Sequence, residues 1–206
     1  MNKTMNGKFI VFEGLDGCGK STQLRLFADY LKENNIDFIT TREPGGTPIA
    51  EKIRDIIVNE NIDAITEALL FASARREHVE KVIKPALAEG KIVLCDRFVF
   101  SSLAYQGFAR GLGEKYIYDI NFEAIKDVIP YAIVYLDIEP MDSLKRIKSN
   151  GREVNRLDNE SLDFYTKCRN GFFKLREHYK NEFLTINANQ EIEKVFEDIK
   201  KGLNII

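Results

Sequence analysis

Residues 12–22 read FEGLDGCGKST and follow three apolar residues at positions 9–11. Within this stretch, Gly14–Ser21 has the spacing G-x-x-x-x-G-K-[ST], with a predicted strand before it and a predicted helix after it. Glycines allow the N–H groups of such a loop to turn toward phosphate oxygens, and the positive end of the following helix favours the same anion. The stretch therefore predicts an α/β fold that binds a nucleoside triphosphate.

This phosphate-binding loop also indicates how a nucleotide and a metal ion would be held. We expect Lys20 to reach the β- and γ-phosphates and the hydroxyl of Ser21 to bind Mg²⁺. The expected nucleotide-binding residues are Gly14, Leu15, Asp16, Gly17, Cys18, Gly19, Lys20, Ser21 and Thr22.

A magnesium site of this kind usually includes an acidic residue at the end of a second buried strand. Asp96 and Asp137 both follow predicted strands. Asp96 is favoured because Arg97 follows it, and a carboxylate beside a guanidinium at the carboxyl end of a strand suits a phosphate–metal site. For Asp137, a structural role at the end of a strand or the start of a helix is an adequate alternative to binding Mg²⁺.

Composition and length describe an ordinary globular chain. Its 206 residues suit one domain, spanning 1–206, and 44% of them are hydrophobic. A net charge of −2 gives no field that favours nucleic acid, and no apolar run approaches the roughly 20 residues of a membrane span. Three cysteines without C-x-x-C spacing make a disulfide framework or a zinc site unexpected, and the first residues lack the apolar core of a secretory signal. We therefore expect a cytoplasmic protein without nucleic-acid or membrane partners.

Short apolar runs alternate with amphipathic stretches along the chain. The runs predict five buried strands, at 8–13, 37–41, 91–96, 131–137 and 183–187. Helical spacing of apolar residues predicts helices over 21–35, about 66–89 and about 190–201. Alternation of strands with helices predicts a parallel sheet flanked by helices, because parallel strands need crossover connections.

Other segments narrow the function. The guanine-reading N-K-x-D of GTPases is absent, since the only Asn-Lys pair is Asn2-Lys3. TREPGGT (41–47) follows the second predicted strand, so it belongs to the ligand crevice of an open α/β sheet. Its Arg42 has a planar fork suited to a phosphate.

Two helical pairs fit an acceptor pocket. Phe71 and Arg75 are four residues apart and share one helix face, where they could stack on a nucleobase and bond to its edge. A core phenylalanine beside a solvated arginine is the alternative. Ser102 and Gln106 have the same spacing, and an amide offers a base one donor and one acceptor.

Five segments in this order resemble those of bacterial thymidylate kinases: FEGLDGCGKST, TREPGGT, LLFASARREH, CDRFVFSSLAYQG and NRLD. The resemblance spans nearly the whole chain. It implies a P-loop nucleoside monophosphate kinase fold, with a five-stranded parallel sheet and a small mobile lid at about 144–158. It also implies transfer of the γ-phosphoryl group of ATP to thymidine 5′-monophosphate (dTMP), with Mg²⁺, in a homodimer whose contact surface includes the 66–89 helix.

The resemblance assigns a substrate role to nine residues. These are Asp16, Arg42, Arg54, Phe71, Arg75, Arg97, Ser102, Tyr105 and Gln106. The arginines at 42, 54 and 97 are implied at the acceptor phosphate, Asp16 near the sugar 3′-hydroxyl, and Tyr105 where a 2′-hydroxyl would lie. The remaining four are implied around thymine, with Phe71 stacked on the ring and Arg75 and Gln106 at its polar edge.

In this family a catalytic arginine comes either from the phosphate-binding loop or from the lid. The loop position is Gly17 here, so the resemblance implies a lid arginine. Position favours Arg152, with Arg146 and Arg156 as alternatives. Together with Lys20, Arg97 and Asp16, Arg152 completes the expected catalytic set.

Three other functions compete with this hypothesis. A deoxynucleoside kinase, or another nucleoside monophosphate kinase, would share the phosphate-binding loop, although a neutral sugar acceptor gives Arg42 nothing to bind. A nucleotide-sensing protein would bind without transfer, and acceptor-dependent release of ADP would exclude it.

Overall fold

One parallel five-stranded sheet organises the computed structural model, which describes residues 7–149 and 160–205. The strands are β1 (Phe9–Gly14), β2 (Phe38–Arg42), β3 (Ile92–Asp96), β4 (Ala132–Asp137) and β5 (Phe183–Asn187). Their order is β2-β3-β1-β4-β5, and each neighbouring pair is parallel. All five lie where the apolar runs predict them. The three central strands are buried almost throughout, which is why their sequences are nearly continuous runs of apolar residues.

Helices flank the sheet. They are α1 (Lys20–Glu33), α2 (Pro48–Asn59), α3 (Ala64–His78), α4 (Lys84–Ala88), α5 (Val99–Ser102), α6 (Glu114–Ile125), α7 (Pro140–Ser149), α8 (Leu162–His178) and α9 (Ile192–Leu203). Among the described residues, no helix is both long enough and apolar enough to cross a membrane.

The helix predicted over 66–89 is not one regular helix. It begins earlier, at Ala64, and a π-helical turn at Val79–Ile83 separates α3 from α4. Pro85 explains the interruption, because a proline has no N–H to donate to the preceding turn and its ring crowds that turn. A second π-helical segment, Leu103–Ala109, continues directly from α5.

The carboxyl ends of β1, β2 and β3 meet at one edge of the sheet. In the register of the sheet, Asp96 of β3 lies opposite Phe12 of β1 on one side and Arg42 of β2 on the other. The phosphate-binding loop, the TREPGGT segment and the Asp96-Arg97 pair are therefore neighbours. This edge is the crevice that the fold offers to a ligand.

The predicted lid at about 144–158 lies partly within α7, whose last residues are 144–149. The rest of it, including Arg152 and Arg156, lies outside the described residues. All three cysteines are buried and free, so none forms a disulfide.

Candidate active site

The phosphate-binding loop connects β1 to α1 through glycines in conformations that other residues rarely adopt. Gly14 has φ 142°, and a Cβ atom there would lie 2.6 Å from the carbonyl oxygen of Leu136. Gly17 has φ 75°, and its Cβ would lie 2.9 Å from the carbonyl oxygen of Ser143. Both positions therefore require glycine, for backbone conformation and for close approach.

Lys20, the first residue of α1, is buried and holds its ammonium group inside the loop. Its Nζ donates to the carbonyl oxygens of Gly14 and Leu15, at 3.1 and 2.9 Å. The loop's own carbonyl oxygens thus hold the ammonium group in place. Cys18 is buried beside Lys20, and burial raises the pKa of its thiol although the charge of Lys20 lowers it, which suits a space-filling role.

The described residues include a two-oxygen donor set suited to Mg²⁺. The Ser21 hydroxyl donates to the carboxylate of Asp96 at 2.8 Å, so both oxygens face one point beside the loop. A hydroxyl and a carboxylate oxygen are ligands that Mg²⁺ takes together with phosphate oxygens. The alternative acid, Asp137, receives two hydrogen bonds from Arg169, at 2.8 and 3.0 Å, and is engaged away from Ser21.

Arg97 links the end of β3 to the phosphate-binding loop. Its Nη2 donates to Asp16 at 2.7 Å, and the hydroxyl of Tyr105 donates to the other oxygen of Asp16 at 3.1 Å. Burial alone would raise the pKa of Asp16, but the charges of Arg97 and Lys20, with hydrogen bonds from Arg97 and Tyr105, lower it to about 2. Asp16 is therefore an anion at neutral pH.

The TREPGGT segment and the helix α2 that follows it each bring one arginine to the same crevice. Arg42 is exposed and donates to Glu51 at 2.9 Å, while Arg54 of α2 donates to the carbonyl oxygen of Pro44 at 3.2 Å. Both guanidinium groups lie at the rim of the crevice. A second anion, beyond the one that the loop binds, would meet positive charge there.

Two adjoining cavities occupy this edge of the sheet. The first is lined by Asp16, Glu43, Pro44, Arg54, Ile57, Val58, Phe71, Arg75, Arg97, Phe98, Ser101, Ser102, Tyr105 and Gln106. The second is lined by Asp16, Gly17, Gly19, Lys20, Ser21, Thr22, Arg42, Glu43, Arg54, Asp96, Arg97 and Ile147. Asp16, Glu43, Arg54 and Arg97 line both. The nine residues to which the resemblance assigns a substrate role all line one cavity or the other.

The first cavity has an aromatic wall and buried polar groups. Phe71 lines it from α3, and Arg75, one turn later, is only 2% exposed, so it is not the solvated arginine of the alternative interpretation. Arg75 donates from Nε to Glu43 at 2.7 Å and from Nη2 to Ser102 at 3.1 Å, and Nη1 donates to Asn121. A guanidinium has five N–H donors, so donors remain for a ligand.

Comparison with known proteins gives the family. The model of the family described as thymidylate kinase matches residues 12–199. The chain belongs to the thymidylate kinase family. It is 54% identical over 204 residues to the thymidylate kinase of Clostridium novyi, covering 97% of this chain and 98% of that one. It is 53% identical over 200 residues to the thymidylate kinase of Anoxybacillus flavithermus, with 95% of each chain covered.

A solved structure gives the same result for the fold. The crystal structure of thymidylate kinase from Ehrlichia chaffeensis superimposes with a TM-score of 0.80 at 34% identity, covering 97% of this chain and 99% of that one. Membership of the thymidylate kinase family confirms the predicted P-loop nucleoside monophosphate kinase fold and the predicted enzyme class, an ATP-dependent nucleoside monophosphate kinase.

Sequence reasoning missed a buried carboxylate beneath this thymidylate kinase site. Glu13 of β1 is fully buried and accepts hydrogen bonds from the N–H groups of Phe98 and Ser101, at 2.8 and 3.1 Å, and from the Ser101 hydroxyl at 2.6 Å. Ser101 in turn accepts from Nη1 of Arg97 at 2.8 Å. Arg97 has φ 71°, an unfavourable conformation for a residue with a side chain. Glu13 therefore supports the backbone that aims Arg97. The sequence offers one signal for this role, because Glu13 stands in FEGLDG at the end of a buried strand.

A second missed group joins the TREPGGT loop to α3. Glu43 is buried and contacts Arg75, and its other oxygen lies 3.0 Å from Nδ1 of His78. The Nε2 atom of the same ring lies 2.6 Å from the hydroxyl of Thr41. Loop and helix are therefore tied together by side chains more than 30 positions apart in sequence.

Proposed function

We propose that this chain transfers the γ-phosphoryl group of ATP to dTMP, giving ADP and dTDP. The observation that carries this proposal is the junction of the two cavities at Asp16, Glu43, Arg54 and Arg97. The second cavity is lined by the phosphate-binding loop, and the first has an aromatic wall with buried polar groups. A donor and an acceptor bound in these cavities would meet where two arginines and two acidic residues line both.

At the donor side, Lys20 holds the β- and γ-phosphates, and residues 14–22 bind the rest of the phosphate chain. Ser21 and Asp96 hold Mg²⁺, with Asp96 acting through water. The ion, when bound, neutralises negative charge on the phosphate oxygens. The 2.8 Å contact between Ser21 and Asp96 supports this pairing.

At the acceptor side, Arg42, Arg54 and Arg97 hold the phosphate of dTMP. Asp16 bonds to the sugar 3′-hydroxyl, and Tyr105 leaves no room for a 2′-hydroxyl. The bond from Tyr105 to Asp16 supports this arrangement, because it fixes both groups at one point of the cavity wall.

Thymine occupies the aromatic part of the first cavity. Phe71 stacks on the ring, Ser102 lines the pocket, and Arg75 and Gln106 bond to the polar edge. Burial of Arg75 and Gln106, each 2% exposed, supports base recognition, since buried polar groups discriminate strongly against a partner that leaves them unpaired.

The acceptor is itself a phosphate oxygen, so the reaction needs no strong general base. Catalysis consists of holding the two reactants in line and neutralising the charge that spreads over the transferred group. Lys20, Arg97 and Arg152 supply the positive charge, with Asp16 completing the catalytic set. We assign Arg152 by its position in the lid segment, at about 144–158, with Arg156 as the alternative in the same segment. Arg146 is engaged elsewhere, since its Nη2 donates to the carbonyl oxygen of Ala188 at 3.2 Å.

We further infer a single domain over 1–206 that acts in the cytoplasm as a homodimer. An apolar face supports the dimer. It consists of side chains at helical spacing on α2, α3 and α6, and α3 packs against both of the other helices. These exposed side chains are Ile49, Ile56, Ile65, Leu69, Tyr118 and Phe122.

Release of ADP from ATP and Mg²⁺ with a panel of acceptors tests the proposal. The panel contains thymidine and the monophosphates of thymidine, deoxyuridine, uridine, deoxycytidine, adenosine and guanosine. We expect a strong preference for dTMP. Preference for thymidine itself would contradict the role of Arg42 and favour a deoxynucleoside kinase, and release of no ADP with any acceptor would favour a nucleotide sensor.

A further inference from the structure

Gln106 lies between the first cavity and a buried carboxylate that does not line it. Its Nε2 donates to Oε1 of Glu67 at 2.8 Å, and the two residues are 2% and 1% exposed. We propose that Glu67 is a positioning residue that fixes the orientation of the Gln106 amide and so makes this position select a base whose ring nitrogen carries hydrogen. The inference rests on the proposed function and deepens it.

The orientation follows from the chemistry of the two groups. An ionised carboxylate only accepts hydrogen bonds, whereas an amide has one accepting and one donating end. The Nε2 end of Gln106 must therefore face Glu67, because the reversed amide would place oxygen against oxygen in a buried site. Such a contact would leave a buried acceptor unpaired, at considerable cost.

Arg110 also contacts Glu67. Its Nε lies 3.5 Å from the same carboxylate oxygen that accepts from Gln106. Arg110 is itself held by an ion pair with Glu160 at 2.6 Å and lies 4.7 Å from the centre of the Phe164 ring. The group that orients Gln106 is thus fixed from outside the cavity.

With Nε2 committed to Glu67, the carbonyl oxygen of Gln106 is left for a donor in the cavity. Thymine and uracil carry hydrogen on N3, so they provide that donor. Cytosine has a lone pair on N3, which would face the amide oxygen. A fixed amide therefore accepts thymine and uracil and opposes cytosine.

The substitution Glu67→Gln separates this role from general support. A glutamine can accept or donate, so Gln106 can then take either orientation. We expect kcat/KM for deoxycytidine monophosphate, relative to dTMP, to rise by about tenfold, the order that one buried hydrogen bond provides. The ratio for deoxyuridine monophosphate relative to dTMP should not change, because uracil presents the same N3–H and O4.

Two further variants complete the design. Glu67→Asp keeps an acceptor-only group, so its ratio of deoxycytidine to thymidine monophosphate should stay near that of the wild type. Glu77→Gln makes the same chemical change on the same helix at a residue that lines neither cavity, and should change no ratio.

Each other outcome overturns the inference. One such outcome is that Glu67→Gln still turns over dTMP and its kcat/KM for deoxycytidine monophosphate, relative to dTMP, is unchanged. Another is that kcat/KM falls equally for dTMP, deoxyuridine monophosphate and deoxycytidine monophosphate. Failure of the wild type to phosphorylate dTMP would instead remove the proposed function, and this inference with it.

If the variant does not fold, ¹⁵N spectra of the wild type decide. One Nε2 proton of Gln106 should stay shifted downfield and protected when dTMP binds, and its loss on binding would contradict the proposal.

Discussion

Lys20 binds the carbonyl oxygens of its own loop, so its charge is held in place before any nucleotide arrives. Replacing it by alanine removes a cation from the transferring phosphates, and we expect Lys20→Ala to lower kcat by about 100-fold or more. Steady-state ADP release at saturating dTMP measures this. Lys32→Ala, at the exposed end of α1, is the control, and near-normal kcat in Lys20→Ala would refute the assigned role.

Asp16 should give stability a defined pH dependence. Its pKa of about 2 lies below its ordinary value of 3.8, so its contribution is present above pH 3.8 and is lost as pH falls through 2. The difference corresponds to about 2 kcal/mol. We expect Asp16→Asn to be less stable than the wild type by about this amount at pH 7, with the gap closing below pH 4.

Urea unfolding between pH 7 and pH 3 measures this gap. Asp29→Asn, in an exposed ion pair on α1, should run parallel to the wild type at all pH values. A gap for Asp16→Asn that stays constant with pH would mean that the carboxylate is not stabilised by Arg97 and Lys20.

At this scale, the sequence predicts what is contiguous. The phosphate-binding loop could be predicted because the spacing within Gly14–Ser21, the strand before it and the helix after it are all local in the sequence. The roles of Glu13 and Glu43 could not, because their partners lie 85 and 32 residues away, and spacing along the chain says nothing about such pairs. Asp96 was separable from Asp137 only through its neighbour Arg97.

At the scale of elements, Glu13 caps the short helix α5. Glu13→Ala leaves the buried N–H groups of Phe98 and Ser101 without an acceptor, and we expect a loss of about 1–3 kcal/mol in the free energy of unfolding. Because Ser101 and Arg97 depend on this cap, KM for dTMP should rise while KM for ATP changes little. Glu33→Ala, exposed on α1, is the control, and an equal rise of both KM values would contradict a role in aiming Arg97.

The lid gives the second prediction about an element. Arg152→Ala should lower kcat by about 10³-fold, since an arginine supplied to such a transition state has this order of effect, while KM for dTMP changes little. Arg146→Ala is the matched comparison, because Arg146 bonds to Ala188. A larger loss of kcat in Arg146→Ala would move the catalytic role to that residue.

Element prediction worked best for strands, since burial on both faces makes them continuous apolar runs. Helices α2, α6 and α8 were not predicted, although two carry start signals. The Thr47 side chain accepts from the N–H of Ala50 before Pro48 of α2, and that of Ser161 accepts from the N–H of Phe164 at the start of α8. The π-helical turn before Pro85 was not predicted, because the helical spacing of apolar residues continues through it.

For the whole molecule, the apolar face on α2, α3 and α6 predicts a dimer. Leu69→Glu places a charge in that face, and we expect the mass in solution to fall to that of one chain, 23.7 kDa. Light scattering after gel filtration measures it. Ile192→Glu, on the similarly exposed start of α9, should leave the mass unchanged, and an unchanged mass for Leu69→Glu would reject this face as the interface.

The close approach of Gly17 to Ser143 limits which residues can stand at position 17. Besides the close approach at Gly17, the Ser143 hydroxyl donates to the carbonyl oxygen of Asp16 at 2.6 Å, so α7 is fastened to the loop. An arginine at position 17 would meet that helix and a strained φ at once. An arginine at position 17 of the loop would therefore also require α7 to move, so a single substitution there would not place it without strain.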